Sequence, residues 1–396
     1  MKRKVVVTGI GLVTPLGGAP DVFWRHISSG KTAVGILSGD RQKYYVSVGA
    51  EVKEKIPDAY RLYNRNVQFA LMAAFRALDD AKLNENIYKE EICGTVVSSS
   101  KINVHIAERF QSAVREGSFD RCSLDACYPG NAIARECGLN GPVLHIASAC
   151  ATGIHSIIQG MRMIEFGDAD IVLAGASEAS LSDFIMAGFK KMGVLAQPCS
   201  HNETIFKPYD KNRSGFVIGE GAGVVVLESM DHAKKRNAAM YGHITSGVMS
   251  NDAHHITSFD CNARQIAHSI RKALHESALG AVDYVNCHGT ATEKNDTIET
   301  RGIKDGFGCS VNGVSLSSTK PMTGHLLGAS GSVELILSLL AMKNNYVPPT
   351  INLVDPDPEC DLDYTALRGV QKDIASVMSL SYGFGGHIGA IIARKI

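Results

Sequence analysis

The sequence has no excess of either charge: 40 Lys and Arg stand against 40 Asp and Glu in 396 residues. It therefore lacks the basic footprint of a nucleic-acid or anionic-membrane binder, and any acidic partner must be met by a local patch. Its ten cysteines include no C-x-x-C pair, which argues against a zinc ribbon or a secreted disulfide framework and makes a reducing cytoplasm the expected compartment. No run of eighteen uncharged apolar residues occurs, so a transmembrane helix is excluded on length. Met1-Lys2-Arg3-Lys4 before Val5-Val6-Val7 imitates a signal peptide, but Thr8, Gly9 and Gly11 interrupt the apolar run, and the segment reads as a first buried strand. Proline is scarce, with 12 residues against 39 glycines, and the glycines cluster where backbone turns tightly or approaches something closely. At 45% hydrophobic and 20% charged residues, the chain is globular, with one large or two medium domains.

Short β-rich apolar runs alternate with helical patterns. Strands are expected near Val5 to Ile10, Cys93 to Val97, Ile171 to Ala174 and Val224 to Leu227, with helices near Val67 to Asp80 and Ile154 to Phe166. After Lys234-Lys235-Arg236 the order begins again: a strand over Tyr241 to Gly247, a helix over Ala263 to Leu279, a strand over Asp283 to Cys287 and a helix near Val333 to Lys343. This predicts layered α/β architecture in two similar halves, 1–236 and 237–396, packed as one unit. Element order alone carries the duplication, because no residue-level repeat is visible.

Three clusters carry chemistry. Gly141 to Gly153 is a strand ending in small residues that feeds an apolar helix, with Cys150 at the helix start, where unpaired amides favour a thiolate. His288-Gly289-Thr290-Ala291-Thr292 leaves a strand, with Asp296 and Glu299 following. Ser317 to Gly331 places Lys320 and His325 among small residues ahead of a helix carrying Glu334, a setting where charge is costly unless paired. Gly9-Ile10-Gly11 and Gly219-Glu220-Gly221 do not complete a dinucleotide fingerprint. His254, His255, Cys261 and His268 match no zinc spacing, so no metal site is expected.

These blocks resemble the elongating β-ketoacyl-acyl-carrier-protein synthases of the type II kind. The similarity extends from Val5-Val6-Val7-Thr8-Gly9-Ile10-Gly11 through Pro208-Tyr209-Asp210 and Gly219-Glu220-Gly221-Ala222-Gly223 to Gly383-Phe384-Gly385-Gly386. The resemblance implies the thiolase-like fold, two αβ halves in a five-layered αβαβα arrangement. It implies Cys150 as the acyl-accepting nucleophile, with the amides of Cys150 and Phe384 as oxyanion hole. His288 and His325 would hold the malonyl thioester carbonyl through decarboxylative Claisen condensation, and Lys320 would order the site with Glu334 as its partner. Thr257, Thr290 and Thr292 would bind the phosphopantetheine of acyl-carrier protein. No tightly bound cofactor is implied. Arg61, Arg65, Lys190, Lys191, Lys207 and Arg213 are the candidates for docking the acidic carrier protein. The resemblance also implies a homodimer, with a heterodimer containing a second ketosynthase-like subunit as the alternative.

The chain departs from the family where specificity is set. Ser98-Ser99-Ser100-Lys101-Ile102-Asn103 stands where glycines and a small apolar residue line the acyl pocket at the dimer interface, so Lys101 and Ile102 are expected to narrow or repolarise it. His387-Ile388 replaces Thr-Asn, and Ser381-Tyr382 replaces the more usual Asn-Ser-Phe context. These changes point toward a polyketide, polyene or unusual-lipid pathway as well as fatty-acid elongation. A non-catalytic chain-length-factor-like subunit would usually lack the cysteine. A thiolase would carry a second cysteine near the C-terminus, where Phe384 to His387 has none. An initiating synthase would have asparagine at His325.

Overall fold

The computed structural model describes residues 2–38, 47–85, 88, 91–101, 115–117, 128–198 and 201–396. Nine strands form its central sheet: β1 (Val5–Val13), β2 (Cys93–Ser98), β3 (Ile171–Glu178), β4 (Gly221–Ser229), β5 (Gly242–Asn251), β6 (Tyr284–Asn286), β7 (Ser315–Ser317), β8 (Ser376–Gly383) and β9 (His387–Arg394). The order is β2-β3-β4-β1-β5-β9-β8-β6-β7. All residues of β1, β3 and β4 are buried, which is why those segments read as continuous apolar runs without polar alternation.

The order repeats about the β1–β5 contact. Reading outward in the C-terminal half, β5 pairs antiparallel with β9, β9 antiparallel with β8, β8 parallel with β6, and β6 parallel with β7. In the N-terminal half, β1 pairs antiparallel with β4, β4 antiparallel with β3, and β3 parallel with β2. The place corresponding to β7 holds only a parallel bridge between Thr95 and Val143. Antiparallel pairing of Val5 with Ile244 and of Val7 with Gly242 joins the two halves.

Six helices position the site: α1 (Arg65–Asp80), α2 (Thr152–Phe166), α3 (Asp183–Lys191), α4 (Arg264–Glu276), α5 (Glu293–Phe307) and α6 (Ser330–Asn344). α1 covers β1 and β4 on one outer face, while α4, backed by α5, covers β5 and β9 on the other. Between them α2 and α6 pack on each other, α2 against β3 and β5, α6 against β4 and β8. This is the five-layered arrangement. A central helix touches protein on every side, and α6 buries every residue from Ser330 through Met342, leaving no solvent-exposed face over that stretch. Glycines set the close α2–α6 approach: a Cβ on Gly153 would lie 2.7 Å from the Ser332 nitrogen, and one on Gly331 would lie 2.9 Å from the Ile154 nitrogen.

The structure also reveals a repeat at residue level. A 3-10 turn at Ala149–Ala151 leads into α2, and another at Leu327–Ala329 leads into α6. Each turn opens on a left-handed residue, Ala149 at φ 48° and Leu327 at φ 49°. Ala149-Cys150-Ala151-Thr152-Gly153 thus superposes in role on Leu327-Gly328-Ala329-Ser330-Gly331. Two identities in five residues are too few to show in sequence. Among the described residues, no helix is long and apolar enough to cross a membrane.

Candidate active site

The turn that carries Cys150 is held by its own side chains. Thr152 Oγ1 accepts from the Ser148 amide at 3.0 Å and donates to the Ala149 carbonyl at 2.8 Å. Ala149 accepts a left-handed conformation that costs a non-glycine residue energy, a strain that persists only where the surroundings over-determine it. β8 supplies part of that constraint: a Cβ on Gly383 would lie 2.4 Å from the Ser148 oxygen and 3.1 Å from the Cys150 nitrogen. Phe384, the next residue, is thereby brought to the nucleophile.

A cleft of about 490 Å³ opens here. Its lining includes Cys150, His288, His325, Phe384, Thr257, Thr290 and Thr292. Thr290 and Thr292 place their hydroxyls 3.0 Å apart, and Phe189, Met192 and Val194 form an apolar flank at and after the end of α3. The two imidazoles meet edge to face, with ring centres 5.5 Å apart. His325 also packs edge to face on Phe216 at 5.0 Å, and its Nδ1 lies 2.8 Å from Ser330 Oγ. His288 also meets Tyr382 edge to face at 5.3 Å.

The loop bearing His288 is clamped from behind by α5. Glu299 accepts from the backbone amides of His288 and Gly289 at 2.7 and 2.8 Å and from the Tyr209 hydroxyl at 3.0 Å. Asp296 accepts from the Tyr209 amide at 2.8 Å. Burial raises the carboxyl of Glu299 to about 7, against the pull of those amides. Lys320, fully buried, lies 2.6 Å from Glu334 Oε1. Burial lifts Glu334 to about 7 while Lys320 opposes it.

Electrostatics separate the roles of these groups. Burial pushes the Cys150 thiol up to about 12, with Lys101 and then Lys320 pulling it back. Burial and the Lys320 charge hold His288 and His325 well below the ordinary histidine value, so both rings are neutral near pH 7 and each carries a single N–H. The site therefore offers a thiol, two neutral imidazole donors and a buried cation behind them.

Several residues lie elsewhere than the sequence suggests. Lys101 does not line this cleft. It pairs with the buried Glu178 at the end of β3, which also accepts from Ser99 Oγ at 2.6 Å and from the Ser100 amide at 2.8 Å. Ile102 falls outside the described residues. Arg65 is not a free docking charge, because Glu220 accepts from its guanidinium at 2.9 and 2.5 Å. Nor is Arg213, whose side chain is 3% exposed, 2.5 Å from Asp357 and 3.8 Å from Asp296, and bonded to the Thr292 and Glu293 carbonyls. Both arginines hold loops in place. Arg61, Lys190 and Lys191 are exposed, and Lys207 is half-buried. Sequence reasoning missed Ser330 and Tyr382 as neighbours of the histidines, and Tyr209 as a brace for the His288 loop. Among the described residues, no three His, Cys, Asp or Glu side chains gather as a metal site.

Comparison with known proteins accounts for this assembly. Residues 2–233 match the family described as beta-ketoacyl synthase, N-terminal domain, and residues 241–354 its C-terminal domain. The 3-oxoacyl-[acyl-carrier-protein] synthase 2 of Coxiella burnetii is 36% identical across all of this chain and 99% of that protein. The protein of the same name from Synechocystis is 35% identical across all of this chain and 98% of its own length. Among solved structures, a type II polyketide-synthase ketosynthase complex, with its acyl-carrier protein and bound hexaketide, matches with a TM-score of 0.92 at 31% identity and full coverage of both chains. The ishigamide ketosynthase/chain length factor matches at 0.91 and 29%, again over both whole chains. The chain thus belongs to the β-ketoacyl synthase family of thiolase-like, carbon–carbon bond-forming acyltransferases.

Proposed function

We propose that Cys150 takes an acyl group from acyl-carrier protein and that the enzyme condenses it with malonyl-acyl-carrier protein. In the first step the thiol sulfur attacks the incoming thioester, and its proton leaves with the carrier thiol. The amides of Cys150 and Phe384 hold the oxyanion of that step. In the second, His288 and His325 donate to the malonyl thioester oxygen, the carboxylate leaves as CO2, and the bond electrons form an enolate. The enolate carbon attacks the Cys150 thioester, and collapse expels the cysteine thiolate, which takes one proton from solvent. Burial, with the charge of Lys320 paired to Glu334 added to it, keeps both rings neutral, each able to donate its single N–H. The observation that carries this reading is the meeting of Cys150 with two neutral imidazoles in one cleft.

Thr257, Thr290 and Thr292 are the proposed contacts for the phosphopantetheine arm, whose carried substrates need no resident cofactor. The exposed Arg61, Lys190 and Lys191, with Lys207, are the proposed docking charges. The boundary of the two halves is placed at 236/237, and the setting is a reducing cytoplasm. Residues 142–147 favour a dimer, homodimeric or with a second ketosynthase-like chain: they run beside β2, bonded to it from Thr95 N to Pro142 O and from Leu144 N to Thr95 O, and Leu144 and Ala147 are exposed. Among the described residues no strand pairs with the outer side of this segment, and an edge of this kind invites pairing with another chain. Lys101, which lies outside the cleft itself, is proposed to shape the acyl pocket together with Ile102 through its pairing with Glu178 at the end of β3, and a specialised polyketide or lipid pathway fits the unusual Ser98 to Asn103 segment as well as fatty-acid elongation does.

The test is reconstitution with acyl- and malonyl-loaded carrier protein. The account expects a β-ketoacyl product and one CO2 per turnover. His288→Ala and His325→Ala should still load Cys150 but fail to discharge it. Full condensation by either variant would refute the assigned roles.

A further inference from the structure

We infer that Ser330 is a positioning residue that decides which nitrogen of His325 carries the proton; the inference rests on the condensing role proposed above. His325 can help hold an enolate only if the nitrogen facing the cleft bears hydrogen. Its ring is already fixed in place by Phe216 at 5.0 Å and His288 at 5.5 Å, and its own amide is bonded to the Val217 carbonyl at 2.7 Å. What remains to be set is the tautomer.

Ser330 Oγ lies 2.8 Å from His325 Nδ1, and both residues are 1% exposed. With the ring neutral, Nδ1 either donates to the hydroxyl or accepts from it. Ser330 has no other side-chain hydrogen-bond partner among the described residues. Were Oγ to accept, its own hydrogen would be buried without an acceptor, an expensive arrangement. Donation from Oγ to Nδ1 satisfies both groups and leaves the single ring hydrogen on Nε2.

The internal repeat provides a control within the same molecule. Thr152 occupies the corresponding position in the N-terminal half and uses its hydroxyl locally, donating to the Ala149 carbonyl at 2.8 Å. Ser330 turns its hydroxyl to the histidine instead. The same place on the same turn serves the nucleophile's backbone in one half and the donor's tautomer in the other. His288 has no such arrangement, since its Nδ1 is buried without a partner among the described residues.

The assignment is tested by 15N spectra of histidine-labelled enzyme, with the His325 signals identified from their loss in His325→Gln. The expected spectrum shows Nδ1 unprotonated and Nε2 protonated in the unsubstituted enzyme, and a mixture of tautomers in Ser330→Ala. Ser330→Ala should also lose about tenfold in the rate of discharge of acyl-Cys150, with loading of Cys150 and the KM for the malonyl substrate unchanged. Ser330→Thr, which keeps the hydroxyl, should recover most of the loss. A protonated Nδ1 in the unsubstituted enzyme, or a Ser330→Ala discharge rate within twofold of it, overturns the inference. The spectra require no turnover, so they decide the Ser330 assignment even if the condensing reading itself fails.

Discussion

The two halves of the molecule use one turn-and-helix unit for different purposes. In the N-terminal half the second residue of the turn is Cys150, and in the C-terminal half it is Gly328. The N-terminal unit therefore presents a sulfur, while the C-terminal unit presents bare backbone and sends its neighbours Lys320, His325 and Ser330 toward that sulfur's cleft. A Cβ on Gly328 would lie 2.7 Å from the Ser100 Cβ, so the second half has no room for a nucleophile of its own. The sheets differ in the same sense. β7 pairs with β6 over three residues, whereas residues 141–146 run beside β2 without forming a strand, joined to it by hydrogen bonds from Gly141 N to Cys93 O, from Thr95 N to Pro142 O and from Leu144 N to Thr95 O. Duplication supplied a rigid frame, and departures from symmetry supplied the chemistry.

The sharpest way to break the comparison is to make the two turns alike. Cys150→Gly should abolish acyl-enzyme formation and lower turnover by at least roughly a thousandfold, with the fold retained because the C-terminal turn already accepts glycine there; thermal melting and intact mass read the two effects separately. Gly383→Ala is the next largest. Its Cβ would press on the Ser148 oxygen at 2.4 Å and shift the nucleophile turn, costing about a hundredfold in loading rate while the decarboxylating side keeps its geometry.

Lys320→Met sharpens the electrostatic half of the account. It leaves Glu334 buried without its cation, costing about 3–5 kcal/mol, and Lys320→Met/Glu334→Leu should recover most of that in chemical denaturation. Glu334 already titrates above its unfolded value, at about 7, and loss of the lysine moves it higher. The folded variant then keeps a proton that the unfolded chain releases above its ordinary carboxyl value. Its stability therefore declines as pH rises toward and through 7. The same substitution raises His288 and His325 toward their ordinary value, because Lys320 is among the groups that depress them. The acid limb of the variant's discharge rate should therefore move to higher pH than in the unsubstituted enzyme, while burial still holds both rings below their ordinary value. The smallest expected effect is at the surface. Lys191→Glu should raise KM for carrier-bound substrate roughly threefold to tenfold, more at low salt, and leave a small thioester mimic unaffected.

Much of the fold was legible in the sequence where burial on both faces produced continuous β-branched runs, as in β1 and β4. It was least legible at the C-terminal hairpin. β8 reads as Ser376-Val377-Met378-Ser379-Leu380-Ser381, and its serines look like solvent positions, yet Ser379 and Ser381 are fully buried. α5 was missed because Glu293 to Phe307 is rich in charge and holds two glycines. Those glycines let α4 approach: a Cβ on Gly302 would lie 2.4 Å from Ile266 Cγ2. The site was legible through the runs of small residues around Cys150, His288, Lys320 and His325 taken together with their resemblance to the family's blocks, since each run alone is also compatible with a structural residue. The docking set was less so, because a basic residue in sequence does not reveal its acid. Glu220 lies 155 positions from Arg65, and Asp357 lies 144 from Arg213. Ser330 is only five positions from His325 but reads as an ordinary helix start until the ring nitrogen is seen beside it.

The most direct test of the central claim is intact-protein mass spectrometry through a single turnover. The enzyme is loaded from a panel of acyl-carrier thioesters, with Cys150→Ala as control, and then given malonyl-carrier protein. The account predicts one acyl adduct, absent from the control, that disappears on addition of the malonyl substrate as a β-ketoacyl-carrier product forms. An adduct that persists in the control, or a loaded Cys150 that malonyl-carrier protein cannot discharge, would contradict it.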